Sequence, residues 1–342
     1  MLAGLIIIIL LVLTLPFFVK PIERNLEPFL FVMGLAATII SGVLNTELIH
    51  EIITNHLMYM ITAAVLIFGL LFARFQNNIH IWINKILEHI PLNLFVFFIV
   101  VLLGLCSSII TAIISALILS EIINALPLQR KEKINTTIIG CFSIGLGAAL
   151  TPIGEPLSTI VISKLGEQFF YLLKLLGVFI IPGVIVFGLL SSLSVKRASK
   201  DSDTGETIDL EDETTKGVVL RAGKIFLFIM ALELLGKGFE PVINTYIIHL
   251  DGRILYWINM ISAVLDNATL AAAEISPAMS GLQIEAILMG LLVSGGMLIP
   301  GNIPNIISAG KLKITSSEWA KLGVPLGLAM LIICYLIIFV II

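Results

Sequence analysis

Gly147-Ala-Ala-Leu-Thr-Pro-Ile-Gly-Glu-Pro156 lies inside an apolar run at residues 134–163. The same glycine and proline spacing returns as Gly295-Gly-Met-Leu-Ile-Pro-Gly-Asn-Ile-Pro304, inside the run at 283–310. Both copies read G-x4-P-x3-P, and each is followed by Lys-Leu, at Lys164-Leu165 and Lys311-Leu312. Proline removes an amide donor and frees a carbonyl one turn back, while glycine lets the chain leave helical geometry. Each run is therefore expected to be a helix broken near its middle.

The surroundings of these two stretches are those of a polytopic membrane protein. Apolar residues make up 58% of the 342 and charged residues 13%, with a mean hydropathy of +1.10, outside the range of soluble domains. A net charge of −3 without a basic cluster offers nothing to a nucleic acid. Cys106, Cys141 and Cys334 stand singly and read as small core residues. Blocks of spanning length fall at 2–19, 28–45, 57–75, 168–192, 219–238 and 318–342, where a span needs about 17–25 residues. The first lacks a basic leader and a small-residue cleavage site, so it reads as a retained helix. Phe75 to Ile90 and residues 239–252 are expected to lie in the interface. The runs 94–125 and 134–163 would make straight helices of roughly 45–48 Å against a hydrocarbon core of about 30 Å, so neither is one straight span.

The matched stretches extend into an internal repeat. Ser115-Ala-Leu-Ile-Leu-Ser-Glu121-Ile122 matches Thr269-Leu-Ala-Ala-Ala-Glu274-Ile275. The order of span, interfacial helix, long run, broken run and span recurs in both halves. The chain divides into N-terminal helices (1–56), a first repeat (57–192), a polar acidic linker (193–217) and a second repeat (218–342).

Basic residues set the topology. With the N-terminus outside and 94–125 and 254–275 as re-entrant hairpins, only Lys164, Lys174, Lys237 and Arg253 fall outside, leaving 16 of the 20 basic residues cytoplasmic. If both runs cross, the division of those residues becomes 11 against 9. The positive-inside rule favours the hairpins. Three crossings then separate the starts of the repeats, so the second is inverted and the two hairpin tips meet near the midplane. The expected fold is an all-α polytopic membrane protein, an inverted-repeat transporter with two re-entrant hairpins and two broken helices. Both termini lie outside and the linker in the cytoplasm, with the plasma membrane as the site.

Four stretches converge in that arrangement. The hairpins turn near Ser107 to Thr111 and near Ser262 to Thr269, and the helices break at Thr151 to Pro156 and Pro300 to Asn305. Asp266 is the leading candidate, because an acid in an apolar run costs about 2.5–3.5 kcal/mol on insertion scales and marks ion or proton pathways. A simpler role for it is to cap the second arm of its hairpin. Glu155, in the first break, is its expected partner in exchanging protons for a metal cation, sodium. Asn267, Asn302, Asn305, Thr151, Thr269, Ser108 and Thr111 supply neutral oxygens suited to a hard cation. Pro152, Gly154, Pro156, Pro300, Gly301 and Pro304 form the backbone of the breaks. Glu121 and Glu274, two turns past the tips, read as hairpin-base residues, and Glu233 pairs with Lys237 at i,i+4 spacing. No GxSxG, HExxH or Walker loop is present, so the chain does not read as an enzyme.

Paired hairpins followed by broken helices, with polar small-residue motifs at tips and breaks, resemble the ion transporter superfamily. The Ser262-Ala-x-x-Asp266-Asn267 tip resembles its NhaD-type sodium/proton antiporter and arsenite-pump branches, and most of all the small family of predicted cation transporters. The Ser-Asn-Thr tips of the superfamily's symporters are absent. The resemblance covers residues 55–342 and implies a homodimer in the bilayer. The function expected is a cation/proton antiporter with sodium and protons as its cargo and no resident cofactor. The alternative is a sodium-coupled symporter of a small organic or inorganic anion, held at the half-helix N-termini.

Overall fold

A computed structural model describes residues 1–56, 58–59, 62–63, 66–67, 70–71, 74, 85–195, 215–242, 245–246, 250–265, 267–275, 277 and 279–341. Among these there is no strand. Three helices are long and apolar enough to cross a membrane, Leu92–Ile110, Tyr171–Ser194 and Ser316–Ile341, which fits an all-α membrane protein. Most of the 57–75 block, residues 75–84 of the interfacial helix, the linker from 196 to 214 and parts of 239–252 lie outside the described residues.

Four helices precede the first repeat: α1 (Leu2–Phe18), α2 (Lys20–Arg24), α3 (Leu26–Ser41) and α4 (Thr46–Ile53). Gly42 ends α3 in the left-handed region at φ 76°, its amide donating back to Ile39 O, the usual glycine stop. Residues 46–53, which hydropathy leaves as a connection, form a helix because Asn45 caps it, accepting from the Leu48 amide at 2.7 Å, and Leu48 and Ile52 bury one face. The main partner of α3 is α10 (Thr215–Val242). A side chain on Gly34 would lie 2.7 Å from Leu234 Cβ, and one on Gly238 2.6 Å from Ala37 Cβ. The two helices therefore touch through small residues, as close helix pairs in lipid do, and run parallel.

The part of the chain before the linker then holds α5 (Leu92–Ile110), α6 (Ala112–Ala125), α7 (Arg130–Ala148), α8 (Pro156–Leu165) and α9 (Tyr171–Ser194). Ser143 Oγ donates to Val100 O at 3.0 Å, Gly147 packs on Gly104, and the Thr151 hydroxyl donates to Ser108 O. These contacts climb together, so α5 and α7 are parallel. Down α6 the contacts descend along α7, from Ala112 with Gly154 through Leu119 with Gly140 to Asn124 with Lys133. Residues 92–125 are therefore an antiparallel helical pair that turns at Thr111. Returning along both α5 and α7, α9 packs Gly188 on Val101 and Gly183 on Leu146.

The part of the chain after the linker holds α11 (Gly252–Ile258), α12 (Asn267–Glu274), α13 (Gly281–Gly295), α14 (Ile303–Leu312) and α15 (Ser316–Leu336). A 3-10 segment, Asn259–Ala263, extends α11. It runs parallel to α13, with Gly252 on Gln283 and Ser262 Oγ donating to Leu291 O at 3.2 Å. Asn259 of this segment donates to Glu274 of α12. Between the halves, Cys141 Sγ meets Ser308 Oγ at 3.3 Å and Gly145 meets the Asn302 amide, so α7 and α14 run in opposite directions. The late helices α9 and α15 pack on the hairpin group, chiefly on α7 and α13, while α3 and α10 form a separate pair beside it.

Candidate functional site

The first break spans Ala149 to Glu155, between the end of α7 and Pro156 at the start of α8. Gly154 is required there, because a Cβ would lie 2.0 Å from Ala148 O. The carbonyls that the break frees are taken up by donors. Ser158 Oγ donates to Ala149 O at 3.1 Å, Thr159 Oγ1 to Pro152 O at 2.6 Å, and the Ala112 amide to Gly154 O at 2.9 Å. That last bond fixes the tip of the first hairpin against the break. A buried carbonyl left unpaired would cost about 1–3 kcal/mol, which accounts for the buried Ser158 hydroxyl at Ala149 O. Ser108, Thr151 and Glu155 are buried, Glu155 as the N-cap residue of α8. Thr111 sits at φ 75°, ψ 152°, a region that a β-branched residue rarely occupies and that costs about 1–3 kcal/mol.

The second break, Gly296 to Asn302, uses different chemistry for the same need. Asn305 Nδ2 donates to both Gly295 O at 2.8 Å and Leu298 O at 2.9 Å, and Trp319 Nε1 donates to Gly296 O at 3.1 Å. Pro300 and Gly301 lie in a short 3-10 turn, and Pro304 in the first turn of α14. A Cβ on Gly301 would stand 2.5 Å from Gly295 O. With the carbonyls engaged, side-chain oxygens become the available ligands. Asn305 Oδ1 is one of them, buried and with no hydrogen-bond partner.

Most of the expected residues gather around these two breaks. Asn267 Nδ2 and Ser262 Oγ both lie 3.7 Å from the point that a Gly295 side chain would occupy, which brings the second tip onto the second break. Asn302 Nδ2 lies 2.9 Å from the corresponding point on Gly145, one turn before the first break, so the two breaks approach each other across α7. Ser108 and Thr111 spend their hydroxyls locally, Ser108 on Leu105 O at 2.7 Å and Thr111 on the Ile114 amide. Asp266 and the side chain of Thr269 lie outside the described residues. A cavity of about 280 Å³ opens beside the second break, between Ile299 and Ile306 on one side and Glu27, Lys224 and Phe228 on the other.

Two further pairs link the halves. Lys311 of α14 pairs with Glu121 of α6, and Lys164 of α8 donates to Ile275 O, one residue past Glu274 of α12, at 3.2 Å. Each residue matches its counterpart in the other half, but no spacing in the sequence shows that the partners are exchanged. Asn259, a polar residue in the apolar run from Tyr256 to Met260, carries the same signal as Asp266, a polar group in an apolar stretch. It donates to Glu274 Oε2 at 2.9 Å and is fully buried.

No curated protein matches the chain. Residues 2–341 match the model of a family described as "Protein of unknown function (DUF1646)", and the chain belongs to that family.

Proposed function

We propose that this chain is a secondary active transporter of the plasma membrane that exchanges a monovalent cation, sodium first, for protons by alternating access. The observation that carries this reading is the exchange of partners between two oppositely directed halves. Helix α6 of the first hairpin packs along α14, and α12 of the second packs along α8, while α7 and α14 run antiparallel. Such a relation is expected of an inverted repeat whose re-entrant hairpins enter from opposite faces, which would bring two helix breaks to one depth. Irregular backbone inside a membrane is tolerated where it is buried or lines a cavity, and both breaks meet that condition.

In this reading Asp266 and Glu155 compete for protons and sodium, and the oxygens of Asn267, Asn302 and Asn305 complete the cage. The hairpins, broken helices, α9 and α15 move against α3 and α10, with the cavity beside Ile299 as the cytoplasmic approach. Anion symport is less well supported. The N-terminus of α8, which would hold an oxyanion, begins at Glu155, an acid that repels one when ionised.

Reconstituted into vesicles, the protein should move protons in response to a sodium gradient, and Asp266→Asn should abolish this movement while leaving the protein folded. Proton movement that persists in the variant, or sodium flux that requires an added anion, would overturn the proposal.

A further inference from the structure

The glutamates matched by the repeat differ in how their charge is met. Glu121 has a lysine: Lys311 Nζ lies 2.6 Å from its Oε1. Lys164, in the position equivalent to Lys311, donates instead to the Ile275 carbonyl. Glu274 is left with the Asn259 amide, which reaches Oε2 at 2.9 Å. Glu274 is 1% exposed and Asn259 0%. Glu274 Oε1 and Asn259 Oδ1 both lack a hydrogen-bond partner among the described residues. Two acceptors of one bonded pair, both buried and neither with a donor among the described residues, favour a positive species between them.

We infer that Asn259 and Glu274 form a second ion site, which takes either a proton or a sodium-sized monovalent cation and never both. A proton on Oε1 turns that oxygen into a donor, and a cation is held between carboxylate and amide oxygens. One carboxylate with neutral oxygens suits a hard monovalent ion, whereas divalent ions draw on more carboxylates. Gly290 lets α13 close over the pair, since a Cβ there would stand 2.8 Å from Tyr256 O and 3.3 Å from Asn259 Cβ.

The other charges nearby are turned elsewhere. On α10, Lys224 pairs with Glu27; Lys237 pairs with Glu51 and Glu233 accepts from Asn55, in place of the i,i+4 pair their spacing suggests; Glu240 lines a separate notch with Glu47 and Glu51. On α11, Arg253 lies over the Phe339 ring. Glu285 is in the second turn of α13, half a turn before Ile287, whose carbonyl the Asn259 amide approaches at 3.5 Å. Lys164 on α8 donates to Ile275 O, one residue past Glu274. The site stands apart from Asp266, so it can hold where the role given to Asp266 fails.

Equilibrium binding of radioactive sodium to purified protein tests it, with choline chloride holding the ionic strength constant. Asp266→Asn should lower sodium binding from two sites per chain to one, and adding Glu274→Gln should remove the remainder. Binding through this site should strengthen about tenfold per pH unit while protons compete, as linkage requires. Asn259→Ala, which keeps the carboxylate, should weaken sodium at least tenfold, a change that a merely structural role would not produce. Sodium binding unchanged in folded Glu274→Gln, or lost completely in Asp266→Asn alone, overturns the second site; the latter result leaves the transporter proposal standing. If Glu274→Gln does not fold, unchanged sodium affinity in Asn259→Ala overturns it. Complete loss in Glu274→Gln with none in Asp266→Asn upholds this site and removes Asp266 from the mechanism.

Discussion

Lys311 Nζ, carried by the second half of the chain, lies 2.6 Å from Glu121 Oε1 of the first, and the two side chains are 8% and 10% exposed. An ion pair so buried gains little over an apolar pair of the same shape, yet removing one partner strands a charge. Lys311→Met and Glu121→Gln should therefore each cost about 3–5 kcal/mol. The double variant should recover most of that loss. Denaturant unfolding of the four proteins in detergent gives the coupling, and simple additivity of the two losses would show that the pair does not join the halves.

Glycine is required at both breaks, and the contacts say where a side chain cannot fit. Ala148 O stands 2.0 Å from a Cβ at position 154, and Gly295 O stands 2.5 Å from one at position 301. Both obstacles are backbone, which cannot swing aside as a side chain can. Gly154→Ala and Gly301→Ala should each lower stability by more than about 1–3 kcal/mol, the usual range for overpacking. Gly310, on α14, has nothing within 4 Å of such a Cβ. Gly310→Ala should be neutral or stabilise by up to about 1 kcal/mol through helix propensity. Melting temperatures of the three variants decide the matter.

How far the sequence led depends on which forces it displays. Hydropathy and the duplicated G-x4-P-x3-P placed both breaks, because glycine and proline act locally and leave the same mark wherever they stand. The turn expected within Ser107 to Thr111 falls at Thr111. Less legible was the 3-10 stretch at Asn259–Ala263, which follows from packing on α13 and has no local signature. Hydroxyls at Ser158 and Thr159 and the Trp319 indole satisfy the freed carbonyls of the breaks. That use depends on distances that no spacing rule supplies. For the same reason the matched residues Glu121 and Lys311 were visible singly, while their exchange between halves was not.

Thr111 is held at φ 75° by the contact between its hairpin and the first break. Such strain in a β-branched residue costs about 1–3 kcal/mol. Its hydroxyl gives a little back by accepting from the Ile114 amide at 3.4 Å. Thr111→Gly removes the strain and, at a cap, sacrifices only a few tenths of a kcal/mol; it should stabilise by about 1 kcal/mol. Thr111→Ala keeps the strain and loses the cap, so it should destabilise by about 0.5–2 kcal/mol. Opposite signs in thermal unfolding are the expected result. A glycine variant less stable than the alanine variant would mean that the threonine is not strained.

Lys224 on α10 and Lys313 just beyond α14 line the same cavity, of about 280 Å³. The proposed motion of the hairpin group against α3 and α10 must change that space. With Cys106, which is partly exposed, replaced by alanine, the pair Lys224→Cys and Lys313→Cys can be joined by a short bifunctional maleimide. Cross-linked protein should lose sodium-driven proton movement in vesicles. Each single cysteine, treated identically, should keep it. A disulfide-containing linker of the same length should then restore movement on reduction. Full activity in the cross-linked protein would mean that α10 and α14 keep their distance during transport, and the moving boundary would have to lie elsewhere.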